Sequence, residues 1–258
     1  MKIFRYSVNL LVATLVLLVA LPGWSMEVSA QSKLEPYYQL LRPEGAGPFP
    51  ALMLVPSCSG INPSRQSQAQ ELKGQGYVVI FVDYLSARGL KSACRGEVPG
   101  RDVARDMRDS AYYLKSQPFV NGSQIGVIGW SGGAGAIIAA LVETQLNEPA
   151  PFRAAALFYP GCRGRRPWKV NVPVIMLLGG SDDVAPPEYC QKLVTGVPQG
   201  SPLEVRLYPE ARHSFDRSDL RSLVQRPLLG GTAGYNEPAA TQAWEEVRKF
   251  LNTHLRSQ

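Results

Sequence analysis

Ser131 stands in the frame Gly129-Trp130-Ser131-Gly132-Gly133, a Gly-x-Ser-x-Gly pattern at the end of the apolar run "QIGVIGW". A serine hydroxyl is a poor nucleophile and needs a base. The chain has two histidines. His254 is fifth from the end, on a polar helix terminus, and reads as exposed. His213 lies in "YPEARHSF", just past the run "LEVRLYP", and is the candidate base. A base of this kind needs a carboxylate on its other ring nitrogen. "LLGGSDDVAPP" supplies Asp182 and Asp183 directly after "VPVIMLLG". Asp182 is the choice, with Asp183 left to cap the helix that follows. The chemistry implied is attack on a carbonyl, with the acyl group carried on Ser131.

That chemistry also needs two N–H donors where the carbonyl oxygen becomes an oxyanion, each worth about 2.7–4 kcal/mol of barrier. Gly132, opening the segment after Ser131, supplies one. The loop "VPSCSGIN" supplies the other at Cys58, with Gly60 allowing the turn.

The elements that must position these groups are legible as short apolar runs alternating with helical ones. "ALMLV", "YVVIFVDY", "QIGVIGW", "RAAALFY", "VPVIMLLG" and "LEVRLYP" read as buried strands. Residues 63–73, the segment "RDVARDMRDSAYYLKSQ", residues 132–143 and "AATQAWEEVRKFLNTHL" read as helices. Continuous apolar strands alternating with helices predict an α/β fold, a mostly parallel sheet covered on both faces. Chemistry in such sheets collects at the C-terminal strand ends. Cys58, Ser131, Asp182 and His213 each follow one. Residues 215–238 read as a long structureless loop, of the kind that covers a site.

Residues 1–30 differ from the rest. Lys2 and Arg5 precede an apolar run from Leu10 to Leu21, and Val28-Ser29-Ala30 offers a peptidase exit before Gln31. This is the pattern of a secretory signal. The run is shorter than the roughly 20 residues a membrane-spanning helix needs. The expectation is export to the periplasm or beyond, leaving one domain over residues 31–258 and no stable membrane span. The formal net charge is +6, spread along the chain except in "CRGRRPWK", which reads as a solvated loop. No nucleic-acid motif is visible, and no Cys/His cluster has metal-ligand spacing, so neither a metal nor another cofactor is expected. The four cysteines, Cys58, Cys94, Cys162 and Cys190, read as two disulfides in an oxidising compartment, with three connectivities open.

The segments "PSCSGIN", "GWSGGAG", "GGSDDVAPP", "YPEARHSF" and "GYNEPAATQAWEEVRKFL" resemble the dienelactone hydrolase family of α/β-hydrolases, from about Pro48 to Leu251. The resemblance implies nucleophile, acid and base at Ser131, Asp182 and His213, and oxyanion donors at Cys58 and Gly132. The chain departs from the best-known members twice. They carry Cys as nucleophile where this chain has Ser131, and a Glu where it has Ser57. A plain Ser-His-Asp esterase mechanism is therefore expected rather than thiol activation through a glutamate. The family also implies a substrate-carboxylate arginine four residues after the base, at Arg217, and another near Arg88. In this fold Cys58 and Cys94 follow two neighbouring strands, and Cys162 and Cys190 follow two others, which favours the pairs Cys58–Cys94 and Cys162–Cys190. Trp130, Tyr84, Tyr159 and Phe215 flank the motifs and are candidates to line an acyl or alcohol pocket. The expected substrate is a small ester or lactone, with an anionic group if the arginines are free. A peptidase, an acyltransferase, or a hydrolase-like protein that only binds its ligand remain as alternatives. Oligomeric state is not legible.

Overall fold

The strands predicted around the candidate residues assemble into one seven-stranded sheet in a computed structural model that describes residues 33–143, 150–165, 171–226 and 229–256. The signal-like segment and residues 166–169 of the basic run lie outside the described residues. The strands are β1 (Leu40–Leu41), β2 (Phe49–Val55), β3 (Val78–Phe81), β4 (Val120–Trp130), β5 (Ala154–Phe158), β6 (Val174–Gly179) and β7 (Leu203–Tyr208). Their order is β1-β3-β2-β4-β5-β6-β7. Only the β1–β3 pair is antiparallel. The described residues fall in one compact unit, Ser32–Gln258.

The period-two geometry of a strand divides the apolar residues between two cores. Ala51, Met53 and Val55 of β2 face one side, with Val127 of β4 and Leu157 of β5. There they meet α2 (Gly100–Ser116), α3 (Gly132–Glu143) and α4 (Pro187–Thr195) through Met107, Ile137 and Leu193. Leu52 and Leu54 face the other side, with Ile128 and Trp130 of β4. There they meet α1 (Pro63–Gly74) and α5 (Glu237–Leu255) through Leu72 and Val247. Because β3, β5, β6 and the apolar stretches of β2 and β4 are buried on both faces, the alternation there collapses into continuous apolar runs. The starts of α1 and α5 are set by side-chain caps: Asn62 accepts from the Arg65 N–H, and Asn236 from the Ala239 N–H.

Three expectations need correction. β7 is an edge strand, not a buried one, and Leu207 is 45% exposed there. Leu40–Leu41 adds a two-residue edge strand, β1, too short to show a period. Residues 215–238 are not structureless: β8 (Val224–Arg226) and β9 (Gly231–Ala233) form an antiparallel hairpin. Among the described residues, no helix is long and apolar enough to cross a membrane.

The chain passes from β2 outward to β3 and returns to β4 on β2's other flank. A crevice forms where the order reverses, and α3 enters it hard against the end of β2. A side-chain carbon at Gly133 would lie 2.3 Å from the carbonyl oxygens of both Val55 and Pro56. A Gly133→Ala substitution is therefore expected to destabilise the protein by about 3 kcal/mol or more, the upper end for overpacking. Urea unfolding reads this, and a wild-type midpoint would contradict the packing described.

Candidate active site

Ser131 is the one residue between β4 and α3, and its φ of +51° puts it in the left-handed region that a non-glycine residue occupies at a cost. Its neighbours hold it there. The Ser131 N–H donates to the Phe158 carbonyl at 3.0 Å, and the Ser131 carbonyl accepts from the Gly135 N–H at 2.9 Å. Gly129 is needed because a side-chain carbon there would lie 2.9 Å from the Ala134 amide nitrogen. The glycines of the Gly-x-Ser-x-Gly frame thus serve the crossing of helix and strand, and the serine is the residue thrown outward by it.

His213 follows β7 and reaches back across the sheet. Its Nε2 lies 2.9 Å from Ser131 Oγ, and its Nδ1 lies 2.8 Å from Asp182 Oδ2. The carboxylate takes the proton-bearing Nδ1, which leaves Nε2 to accept from the Ser131 hydroxyl. Asp182 is aimed by the N–H groups of Val184 and Ala185, which donate to its Oδ1 at 2.9 and 2.7 Å. His213 and Asp182 are 2% and 4% exposed, so the pair is held out of bulk water.

Two glycines let the acid and base loops press together. A side-chain carbon at Gly179 would meet the Ala211 carbonyl oxygen at 2.6 Å, and one at Gly180 the Pro209 carbonyl oxygen at 2.5 Å. The Ser181 N–H then donates to the Ala211 carbonyl at 3.0 Å. The hairpin completes the clamp, because the Gly234 N–H donates to the His213 carbonyl at 3.0 Å. Asp183 takes a different role from the cap expected of it. It accepts from the Thr232 N–H at 2.7 Å and so anchors β9.

Cys58 and Gly132 come together at the ends of β2 and β4. A side-chain carbon at Gly132 would lie 3.3 Å from the Cys58 amide nitrogen. Among the described residues neither N–H is paired with another group of the chain. The Cys58 loop is braced from the segment after β3. Tyr84 OH donates to the Ser57 carbonyl at 3.0 Å, the Ala93 N–H donates to the Cys58 carbonyl at 2.8 Å, and Cys58 is disulfide-bonded to Cys94. The second disulfide joins Cys162, after β5, to Cys190 on α4.

The other residues expected to contact substrate have partners or packing within the protein. Trp130 is fully buried and its Nε1–H donates to Asp216 at 3.0 Å, so it lines no open pocket. Tyr84, Tyr159 and Phe215 are each at most 3% exposed and also belong to the packed interior. Arg88 is fixed by Asp106 through contacts of 2.7 and 3.2 Å and by the Tyr84 carbonyl. Arg217 is paired with Asp219 through both Nε and Nη2. At both positions the guanidinium expected to hold a substrate carboxylate is in an ion pair with an aspartate of the chain. His254 is half-buried rather than exposed, with its ring 4.7 Å from that of Phe250, and burial lowers its pKa.

A hydroxyl on a strained turn, hydrogen-bonded to a buried imidazole that leans on a carboxylate, at the C-terminal edge of a mostly parallel sheet, defines the class: this is an α/β-hydrolase fold. The chain matches the sequence profile of the dienelactone hydrolase family over residues 38–255 and belongs to that family. It is a hydrolase acting on ester or lactone bonds. A relative from Yersinia pestis, described as a "Putative carboxymethylenebutenolidase", is 23% identical, over 88% of this chain and 86% of its own. Two solved structures share the fold. One, titled "Putative Dienelactone Hydrolase", is from Klebsiella pneumoniae, with TM-score 0.69 and 18% identity over 84% of this chain and 92% of that one. The other is the apo form of esterase 2 from Thermogutta terrifontis, with TM-score 0.60 and 17% identity over 84% and 88%.

Two predictions follow from the braces. A Cys58→Ser/Cys94→Ser variant is expected to lose about tenfold in kcat for a chromogenic ester, with KM nearly unchanged, because the Cys58 N–H loses its fixed position. Equal kcat in the folded variant would contradict that role. Arg88→Gln is expected to lower the unfolding temperature while leaving KM alike for neutral and anionic esters. A KM rise confined to anionic esters would instead assign Arg88 to substrate.

Proposed function

We propose that the protein is an exported serine esterase or lactonase that works through an acyl-enzyme. The observation that carries this is the unbroken contact chain Ser131 Oγ, His213 Nε2, His213 Nδ1, Asp182 Oδ2, with both links under 3 Å. Ser131 attacks the ester or lactone carbonyl while His213 takes its proton. The Cys58 and Gly132 N–H groups receive the developing oxyanion. Asp182 holds the imidazole in the tautomer that can accept, and stabilises its charged form. His213 then gives the proton to the departing alkoxide. Water repeats the sequence on the acyl-enzyme, with His213 as base, and returns the free acid and Ser131. In a lactone the leaving alkoxide stays tethered to the acyl group, so ring opening and acylation are one event.

Export rests on the charged and apolar pattern of residues 1–30 and on two disulfides that an oxidising compartment sustains. The protein recovered from a periplasmic or culture fraction is expected to begin at Gln31. An N-terminus at Met1 would contradict cleavage.

A panel of esters and lactones graded in acyl length tests the reaction. Asp182→Asn is expected to lower kcat about 10⁴-fold in a folded protein, because the imidazole then settles in the wrong tautomer. Ser131→Ala is expected to leave no burst and no detectable turnover. Wild-type protein that folds, binds panel members and turns over none of them would favour the ligand-binding reading instead.

A further inference from the structure

Beneath Ser131 and His213 lies a buried polar cluster that the proposed chemistry does not itself use. The carboxylate of Asp216, three residues past His213, accepts five hydrogen bonds. Arg65 Nη1 and Nη2 donate at 2.7 and 2.9 Å, Tyr159 OH at 2.7 Å, Trp130 Nε1 at 3.0 Å and Gln68 Nε2 at 3.2 Å. Arg65 also donates to Tyr159 OH at 2.6 Å and lies 4.2 Å over the Trp130 ring. Arg65, Asp216, Tyr159 and Trp130 are all 2% exposed or less. Burial alone would push the Asp216 carboxyl up. Arg65, with the Tyr159 and Trp130 donors, outweighs it and holds the group below the usual carboxylate range.

A buried ion pair is poor evidence of a stability device, since apolar residues of the same volume serve as well. What the cluster supplies that apolar packing lacks is direction. Its members come from four places that meet at the site. Trp130 is bonded to Ser131 in the chain. Tyr159 sits beside Phe158, whose carbonyl holds the Ser131 N–H. The Tyr159 ring meets the His213 ring edge-on, with centroids 4.7 Å apart. Asp216 belongs to the His213 loop, and Arg65 ties all three to α1. Tyr159 is also held at φ +39°, a left-handed conformation that an aromatic residue adopts only when its surroundings impose it.

We propose that Asp216 and Tyr159 are positioning residues, a polar bracket that registers the His213 ring against Ser131. The inference rests on the serine-hydrolase reading and deepens it. The bracket touches no substrate. It acts through His213, so it governs the rate of the chemical step rather than binding.

Tyr159→Phe removes the hydroxyl and keeps the ring, so it is the deciding variant. Asp216→Asn would strand the Arg65 charge and risks the fold. Three readings are taken on folded protein: kcat and KM for a chromogenic ester, the rate of labelling by a fluorophosphonate probe, and the unfolding temperature. Tyr159→Phe is expected to lower kcat and the labelling rate together by about tenfold, the scale of a sub-ångström misplacement of reacting groups, with KM unchanged. In a His213→Ala background the same substitution is expected to cause no further loss of residual hydrolysis. Wild-type labelling and kcat in Tyr159→Phe overturn the inference alone. So does an equal fractional loss with and without His213, which marks a merely structural role. A wild-type protein that takes no label overturns the serine-hydrolase reading, and the inference with it.

Discussion

The 2.9 Å contact between His213 Nε2 and Ser131 Oγ joins residues 82 positions apart, and the parallel sheet is what closes that distance. Every strand from β2 to β7 ends on the same edge, so every loop that leaves a strand there is a neighbour of the others. The remaining requirement is close approach, and glycine meets it. Gly129 and Gly133 let α3 cross β4 and β2. Gly179 and Gly180 let the acid loop lie on the base loop. At each position a single added carbon would fall within 3 Å of its neighbours. The geometry of the contact is therefore written as much in side chains that are missing as in those that meet.

That edge is also where the braces concentrate. Loops are the mobile part of a fold, and a site built on loops loses rate if they wander. Here three are tied from outside themselves, and the fourth by its own turn. The Cys58 loop is held by Tyr84, Ala93 and Cys94, and the His213 loop by Gly234 of the hairpin segment. The Asp182 turn is held by its own N–H groups, and the loop after β5 is joined by Cys162–Cys190 to α4. The hairpin of residues 224–233 is in turn pinned by Asp183, so the two aspartates of "SDD" divide the labour. Asp182 faces the imidazole, and Asp183 fixes the cover that clamps the imidazole's backbone.

The sheet strands and the positions of Ser131, Asp182 and His213 were legible because each depends on a local pattern: an apolar run, a glycine frame, a polar residue just after a strand. Trp130 could have been read better. It stands two residues after Ile128 in β4, so strand parity points its ring into the sheet face and not out of the strand's end. The pairs Arg88–Asp106 and Arg217–Asp219 left no such trace, since nothing in the sequence says that a guanidinium already has a partner. Arg65 was hidden most completely. It lies in α1, whose sequence is mostly polar, and its partner Asp216 is 151 positions away. Buried charge is invisible to hydropathy because it breaks the rule on which hydropathy rests.

Catalysis through Ser131 requires a covalent bond at one oxygen. Acid quenching of the protein during turnover of a slowly deacylated ester, followed by peptide mass spectrometry, measures it directly. The acyl mass is expected on the peptide that contains Ser131, at up to one equivalent, and is expected to be absent from Ser131→Ala. Turnover at an undiminished rate in Ser131→Ala, or acyl mass on any other residue during productive turnover, would contradict it.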